Sequence, residues 1–198
     1  MKHHTHNVKN DFISGYYLED TSICDKLIEL FNFSPYRQSA GSVGKTNQIN
    51  KEWKDSTDIS VPPSDPVLYE YIDQHLQPCL EEYCKQYEYA NMVEPYGIFS
   101  NTNIQRYLPN QGYFKYHMEI SGSPKTVYRH LVYMTYLNDV TDGGETEWFY
   151  QKTKIKPEKG LTIIWPAGWT HTHRGVTSTT QEKFIATGWY EFNRQNNG

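Results

Sequence analysis

The strongest constraint on the fold is a change of hydrophobic period near residue 96. Upstream of it, apolar residues recur at helical spacing. Ile23, Leu27, Leu30 and Phe31 form one stripe, with Asp25, Lys26 and Glu29 on the other side. This predicts a first helix starting at Thr21 or Ser22, either of which can cap it. A second stripe runs from Val67 through Leu68, Tyr71, Ile72, His75, Leu76, Cys79 and Leu80 to Tyr83, opened by Ser64-Asp65-Pro66. Pro78 falls inside this helix and should kink or split it, because proline lacks an N–H and crowds the preceding turn. His75 lies on the apolar stripe and reads as a core histidine.

Downstream, polar and apolar residues alternate with a period of two. This predicts strands over 104–108, 113–119, 130–138, 146–150, 152–156, 161–165, 170–174 and 183–192. Turn residues separate them, among them Pro109-Asn110-Gln111-Gly112, Asp142-Gly143-Gly144 and Pro166-Ala167-Gly168. Helices followed by strands indicate an α+β chain with a barrel or sandwich. One domain over residues 1–198 is expected, with a helical part to about 95 and a sheet core over about 96–193. Between the helices, a polar segment from Ser34 to Pro63 holds Gly41, Gly44 and the run Lys51 to Asp58 without clear periodicity, and is either mobile or functional.

A net charge of −4 leaves no strongly basic face and argues against a nucleic-acid partner. Cys24, Cys79 and Cys84 are odd in number and scattered, the pattern of free thiols in a reducing compartment. No apolar run approaches the ~20 residues of a membrane span, and no signal-peptide pattern opens the chain. A cytoplasmic protein, neither secreted nor membrane-bound, is expected. His3, His4 and His6 read as a mobile tail and not as a metal site.

Chemistry concentrates in three places. His117 and Glu119 are two residues apart in a predicted strand, so both can point to one side. A third donor can come from His171 or His173, which strand parity alone does not separate. Two imidazoles and one carboxylate can hold one face of an iron(II) ion and leave positions open. Lys183 opens a strand that is apolar on both faces: Lys183, Ile185, Thr187 and Trp189 share one, Phe184, Ala186, Gly188 and Tyr190 the other. A lysine buried there needs an anion, and a ligand carboxylate is one candidate; the exposed end of the strand is the other reading.

Over residues 105–192 the motifs occur in a recognisable order. Tyr107 precedes His117-Met118-Glu119 by ten residues; Arg129 leads into Tyr136-Leu137-Asn138; Gly143-Gly144-Glu145-Thr146 and Pro157 to Gly160 follow; His173 stands ten before Lys183, and Trp189 closes the last strand. In this the chain resembles the 2-oxoglutarate/iron(II) oxygenases of the prolyl 4-hydroxylase-like branch, and is similar to its bacteriophage-encoded members. If it is phage-encoded, the compartment is the host cytoplasm.

The resemblance implies a double-stranded β-helix with the N-terminal helices packed on one sheet. It favours His173 over His171 and implies that His117, Glu119 and His173 bind Fe(II). Lys183, helped by the hydroxyl of Tyr107 or Tyr136, would then hold the distal carboxylate of 2-oxoglutarate. It further implies O2 as oxidant, ascorbate as a supporting reductant, and hydroxylation of a C–H bond with release of succinate and CO2. A peptidyl proline is the first candidate substrate; a free amino acid or other small metabolite, or a non-catalytic 2-oxoglutarate- or metal-binding role, is the alternative. The residues 37–58 could form a lid over an extended peptide. One departure stands out: the family usually has aspartate where this chain has Glu119.

Overall fold

The computed structural model describes residues 1–5, 11–33, 35–43 and 48–193; His6, Ser34 and Gly44, named above, lie outside them. Two sheets face each other. The larger is an antiparallel sheet in which Lys2–His4, Ser14–Tyr17, Leu161–Pro166, Arg129–Tyr136, Lys183–Phe192, Thr102–Tyr107, Thr57–Val61 and Ser39–Ala40 follow one another in space. The smaller joins Thr153–Ile155, Thr146–Trp148 and His173–Gly175. This is the double-stranded β-helix expected from the sequence.

Alternation along the central strands divides the core. From Lys183–Phe192, the side chains of Phe184, Ala186 and Tyr190 point to the helical layer, where they meet Leu27 and Phe31 of the helix Ser22–Phe33 and Tyr71, Cys79 and Tyr83 of the second helical segment. Ile185 points the other way, into a cluster between the sheets with Val132, Met134, Tyr136, Trp148, Ile163 and Trp165. The strand is therefore covered on both faces, as its composition requires. A buried hydroxyl chain also ties helix to sheet: Tyr71 Oη lies 2.7 Å from Thr135 Oγ1, which lies 2.6 Å from Thr162 Oγ1.

Pro78 divides the second helix in an unusual way. Pro66–Glu70 is α-helical, Tyr71–Leu76 widens to a π-helix, and Gln77–Gln86 is α-helical again. The Gln77 N–H reaches back five residues to the Ile72 carbonyl. Widening just ahead of Pro78 makes room for the ring and places it at the first turn of the next segment, where no N–H is required. The half-buried His75 sits at the edge of the apolar stripe and not in the core.

Three expectations need correction, and one, the segment between the helices, gains detail. Residues 113–119 are not one strand: Gly112–Tyr113 pairs with Lys54–Asp55, and beyond it only an isolated bridge joins His117 to His173. Residues 170–174 hold a short 3-10 turn, Trp169–His171, before the strand His173–Gly175. The segment between the helices contains strands, and Thr57–Val61 extends the large sheet beside Thr102–Tyr107. At the N-terminus, Lys2–His4 is not a mobile tail; it pairs with Ser14–Tyr17, and His4 Nδ1 lies 2.9 Å from the Tyr17 hydroxyl. These pairings are made with distant segments, so local periodicity carries no sign of them. Among the described residues, no helix is long and apolar enough to cross a membrane.

Candidate metal centre

The His117–His173 bridge builds the centre. Each residue's N–H donates to the other's carbonyl at 2.9 Å, which sets the two imidazoles side by side with ring centroids 4.3 Å apart. His117 Nδ1 is 3.1 Å from the Lys115 carbonyl and His173 Nδ1 is 2.9 Å from the His171 carbonyl. A carbonyl can only accept, so each Nδ1 carries the proton and each Nε2 keeps its lone pair. Both Nε2 atoms face Glu119 Oε1, at 3.5 Å and 3.4 Å. One donor atom from each of His117, Glu119 and His173 lies within 4.8 Å of the others. Donors about 2 Å from a shared ion stand roughly 3–4 Å apart. The set therefore fits a divalent cation bound on one face, and nitrogen with carboxylate oxygen is the chemistry iron(II) takes.

Electrostatics favour a neutral His117 ring and an ionised Glu119. Burial pushes the His117 imidazole below its ordinary value, and the neighbouring His173 adds to that, so the ring stays neutral. Burial alone would raise the Glu119 carboxyl, but positive charge at the His117 and His173 nitrogens that face it outweighs burial and holds the group well below the usual carboxylate range; with both Nε2 atoms unprotonated, a bound cation would supply that charge. His171, two residues from His173, points elsewhere: its Nε2 lies 2.8 Å from the Asp11 carbonyl, and it is buried in a structural contact. The 3-10 turn that rotates it away is what strand parity could not foresee.

The triad opens onto a cavity of about 530 Å³ whose walls include Lys183, Tyr107, Met134, Thr146 and Ile185. Lys183 is buried there. Its ammonium donates to the Gly144 carbonyl at 2.8 Å and lies 5.0 Å from the centre of the Tyr107 ring. Gly143 and Gly144 both have positive φ, 86° and 77°, which the turn needs in order to present that carbonyl. Desolvation lowers the Lys183 pKa to about 8. The lysine is thus not at an exposed strand end, and among the described residues no carboxylate lies within ion-pair distance of it.

The two tyrosines differ. Tyr107 lines the cavity and its hydroxyl donates to Gln105 Oε1 at 2.7 Å. Tyr136 is fully buried beside the Thr146 hydroxyl at 2.8 Å and does not line the cavity. Five contributors went unassigned in the sequence. Tyr113 stacks on His117 with ring centroids 3.6 Å apart, and its place four residues before that histidine was the available signal. Arg129 and Trp189 hold Glu119: Arg129 Nη1 donates to Oε2 at 3.2 Å and Trp189 Nε1 donates to the same oxygen at 2.9 Å. Trp189 shares the strand face of Lys183, so parity could have found it. Finally, Lys54 and Asp58, paired at 2.6 Å, bring the segment before Val61 into the cavity wall.

A double-stranded β-helix bearing a His/carboxylate/His face defines a class, the mononuclear non-haem metal oxygenases. The sequence points the same way: residues 102–191, which hold all three donors, match the 2OG-Fe(II) oxygenase superfamily. Iron(II), 2-oxoglutarate and O2 are that family's cofactor and co-substrates. The chain is 25% identical over 150 residues to a protein of Acanthamoeba polyphaga mimivirus named "Putative prolyl 4-hydroxylase", a match spanning 68% of this chain and 60% of that protein. Its fold is similar to the viral collagen prolyl hydroxylase of Paramecium bursaria Chlorella virus-1 in its 2-oxoglutarate complex, with TM-score 0.66 and 21% identity over 92% of this chain and 97% of the other. It is also similar to a prolyl hydroxylase of Trichoplax adhaerens bound to a hypoxia-inducible-factor peptide fragment, with TM-score 0.68 and 14% identity over 92% and 84% of the two chains.

Proposed function

We propose that this chain is a single-domain 2-oxoglutarate- and iron(II)-dependent dioxygenase that hydroxylates a C–H bond of a peptidyl proline and releases succinate and CO2. The observation that carries the reading is the convergence of the His117, Glu119 and His173 donors on a cavity that also holds the buried ammonium of Lys183. The three donors would hold Fe(II) and leave positions open for two co-substrates. Iron(II) held there would let O2 serve as the oxidant, coupling decarboxylation of 2-oxoglutarate to oxygen insertion into the C–H bond.

The protein's own residues do the rest. Lys183 binds the distal carboxylate, with the Tyr107 ring and hydroxyl beside it, and the Gly144 carbonyl holds the ammonium in place meanwhile. Trp148 and Trp165, both buried and 5.3 Å apart, back the His173 ring and keep water from behind the donors. The segment around Lys54 and Asp58 forms a wall against which an extended peptide can lie; its tie to Gly112–Tyr113 fixes that wall next to the metal donors. The mimivirus protein named "Putative prolyl 4-hydroxylase" and the peptide-bound prolyl hydroxylase of Trichoplax adhaerens support a peptidyl proline.

The test is direct. Protein, Fe(II), ascorbate, 2-oxoglutarate and O2 are mixed with proline-containing peptides; succinate release and a peptide mass gain of one oxygen atom are expected. Succinate without any modified peptide, but with a modified free amino acid, would move the substrate to small metabolites. No succinate under any condition would leave only a binding role.

A further inference from the structure

Glu119 is anchored at one oxygen and presented at the other. Its Oε2 accepts from Trp189 Nε1 at 2.9 Å and from Arg129 Nη1 at 3.2 Å. The same Nη1 also donates to the Glu119 main-chain carbonyl at 2.9 Å, so one guanidinium spans the backbone and tip of this side chain. The Arg129 guanidinium lies flat over the Trp189 indole, 3.4 Å from the ring centre, so each donor fixes the other. Only Oε1 is turned to the His117 and His173 nitrogens. A glutamate has one more rotatable bond than aspartate, and a free one would present its oxygens in many orientations. Here that freedom is removed by two donors from separate elements, one at the start of Arg129–Tyr136 and one near the end of Lys183–Phe192.

We propose that Arg129 and Trp189 are positioning residues that make glutamate the carboxylate this site requires. An aspartate carboxylate sits one methylene nearer the backbone than the Glu119 carboxylate that these two donors hold. An aspartate could meet the metal or the clamp, and not both. Holding Oε2 also restricts the carboxylate to a single oxygen toward the ion, which preserves the open positions. The inference rests on the metal-binding reading above, but it concerns the carboxylate and not the reaction.

The experiment is a double-variant cycle read by equilibrium Mn(II) binding, with Co(II) absorption as a second readout of ligand geometry. Trp189→Phe keeps a ring under Arg129 and removes only the N–H. Since a hydrogen bond to a charged group changes an equilibrium by about tenfold or more, Trp189→Phe should weaken Mn(II) binding by roughly that factor. Glu119→Asp should weaken it at least as much. In the Glu119→Asp background, Trp189→Phe should add less than about twofold, because the shorter side chain no longer reaches the indole. Arg129→Lys, which keeps the charge and loses the planar stack, should fall between wild type and Trp189→Phe. Aspartate binding Mn(II) as tightly as glutamate overturns the proposal. So does an equal loss from Trp189→Phe in both backgrounds, which would make the indole a packing residue only. Wild-type protein that binds no Mn(II) overturns both this inference and the function above; wild type that binds Mn(II) with the expected cycle, yet releases no succinate, overturns only the function.

Discussion

Replacing Lys183 by methionine separates what the lysine does for the fold from what it does for the ligand. Methionine keeps the length and fills the cavity without charge. In the folded protein desolvation lowers the Lys183 pKa to about 8, against 10.5 for an exposed lysine. At one pKa unit per 1.36 kcal/mol, carrying the charge into the core costs about 3 kcal/mol at pH 7. The folded pKa is depressed, so the unfolded chain binds more protons between pH 8 and 10.5, and stability must rise across that window. Lys183→Met removes this cost but strands the Gly144 carbonyl, a loss of about 1–3 kcal/mol. The variant should therefore be no less stable than wild type at pH 7, and its stability should be flat where that of wild type rises.

Ligand binding should respond in the opposite sense. A charge-assisted hydrogen bond contributes about 1.5–3 kcal/mol, so 2-oxoglutarate should bind the Mn(II)-loaded variant about ten- to a hundredfold more weakly. For wild type, only the ammonium binds the carboxylate, so affinity should fall by up to tenfold per pH unit above about 8. The variant should show a weak affinity independent of pH. Calorimetric titration with 2-oxoglutarate from pH 6.5 to 9.5 and thermal melts over the same range measure both. Unchanged affinity in the variant, or a flat wild-type profile, would refute the reasoning.

Further outcomes follow from single contacts. His173→Ala should abolish metal binding in a Mn(II) titration, while His171→Ala should retain it and lose about 1–3 kcal/mol of stability with the Asp11 carbonyl contact. Tyr136→Phe leaves Thr146 short of a buried partner and should lower denaturant stability by about 1–3 kcal/mol with little change in 2-oxoglutarate affinity. Gly144→Ala meets a positive φ of 77° and Val140 Cγ1 at 3.0 Å, so it should destabilise the chain by about 1 kcal/mol or more and weaken 2-oxoglutarate binding by shifting the carbonyl on Lys183.

Much of this protein was determined by the sequence alone. The change of period at residue 96 marked where the helices end and the central strands begin, because helix and strand bury apolar residues at different spacings, although Lys2–His4, Ser14–Tyr17 and Thr57–Val61 upstream of it also join the large sheet. Alternation along Lys183–Phe192 assigned each side chain to its face, since a strand cannot turn one residue over without turning them all. The ordered motifs pointed to His117, Glu119, His173 and Lys183. Only the tertiary structure decided which contacts make them a site. The choice between His171 and His173 depends on a 3-10 turn and on Asp11, 160 residues away in the chain. The protonation of both histidines depends on carbonyls that a folded backbone presents, and the anchoring of Glu119 depends on an arginine and a tryptophan brought together from different strands. Spacing along a chain reports which way neighbours face; it holds no information on which distant atoms arrive at hydrogen-bonding distance.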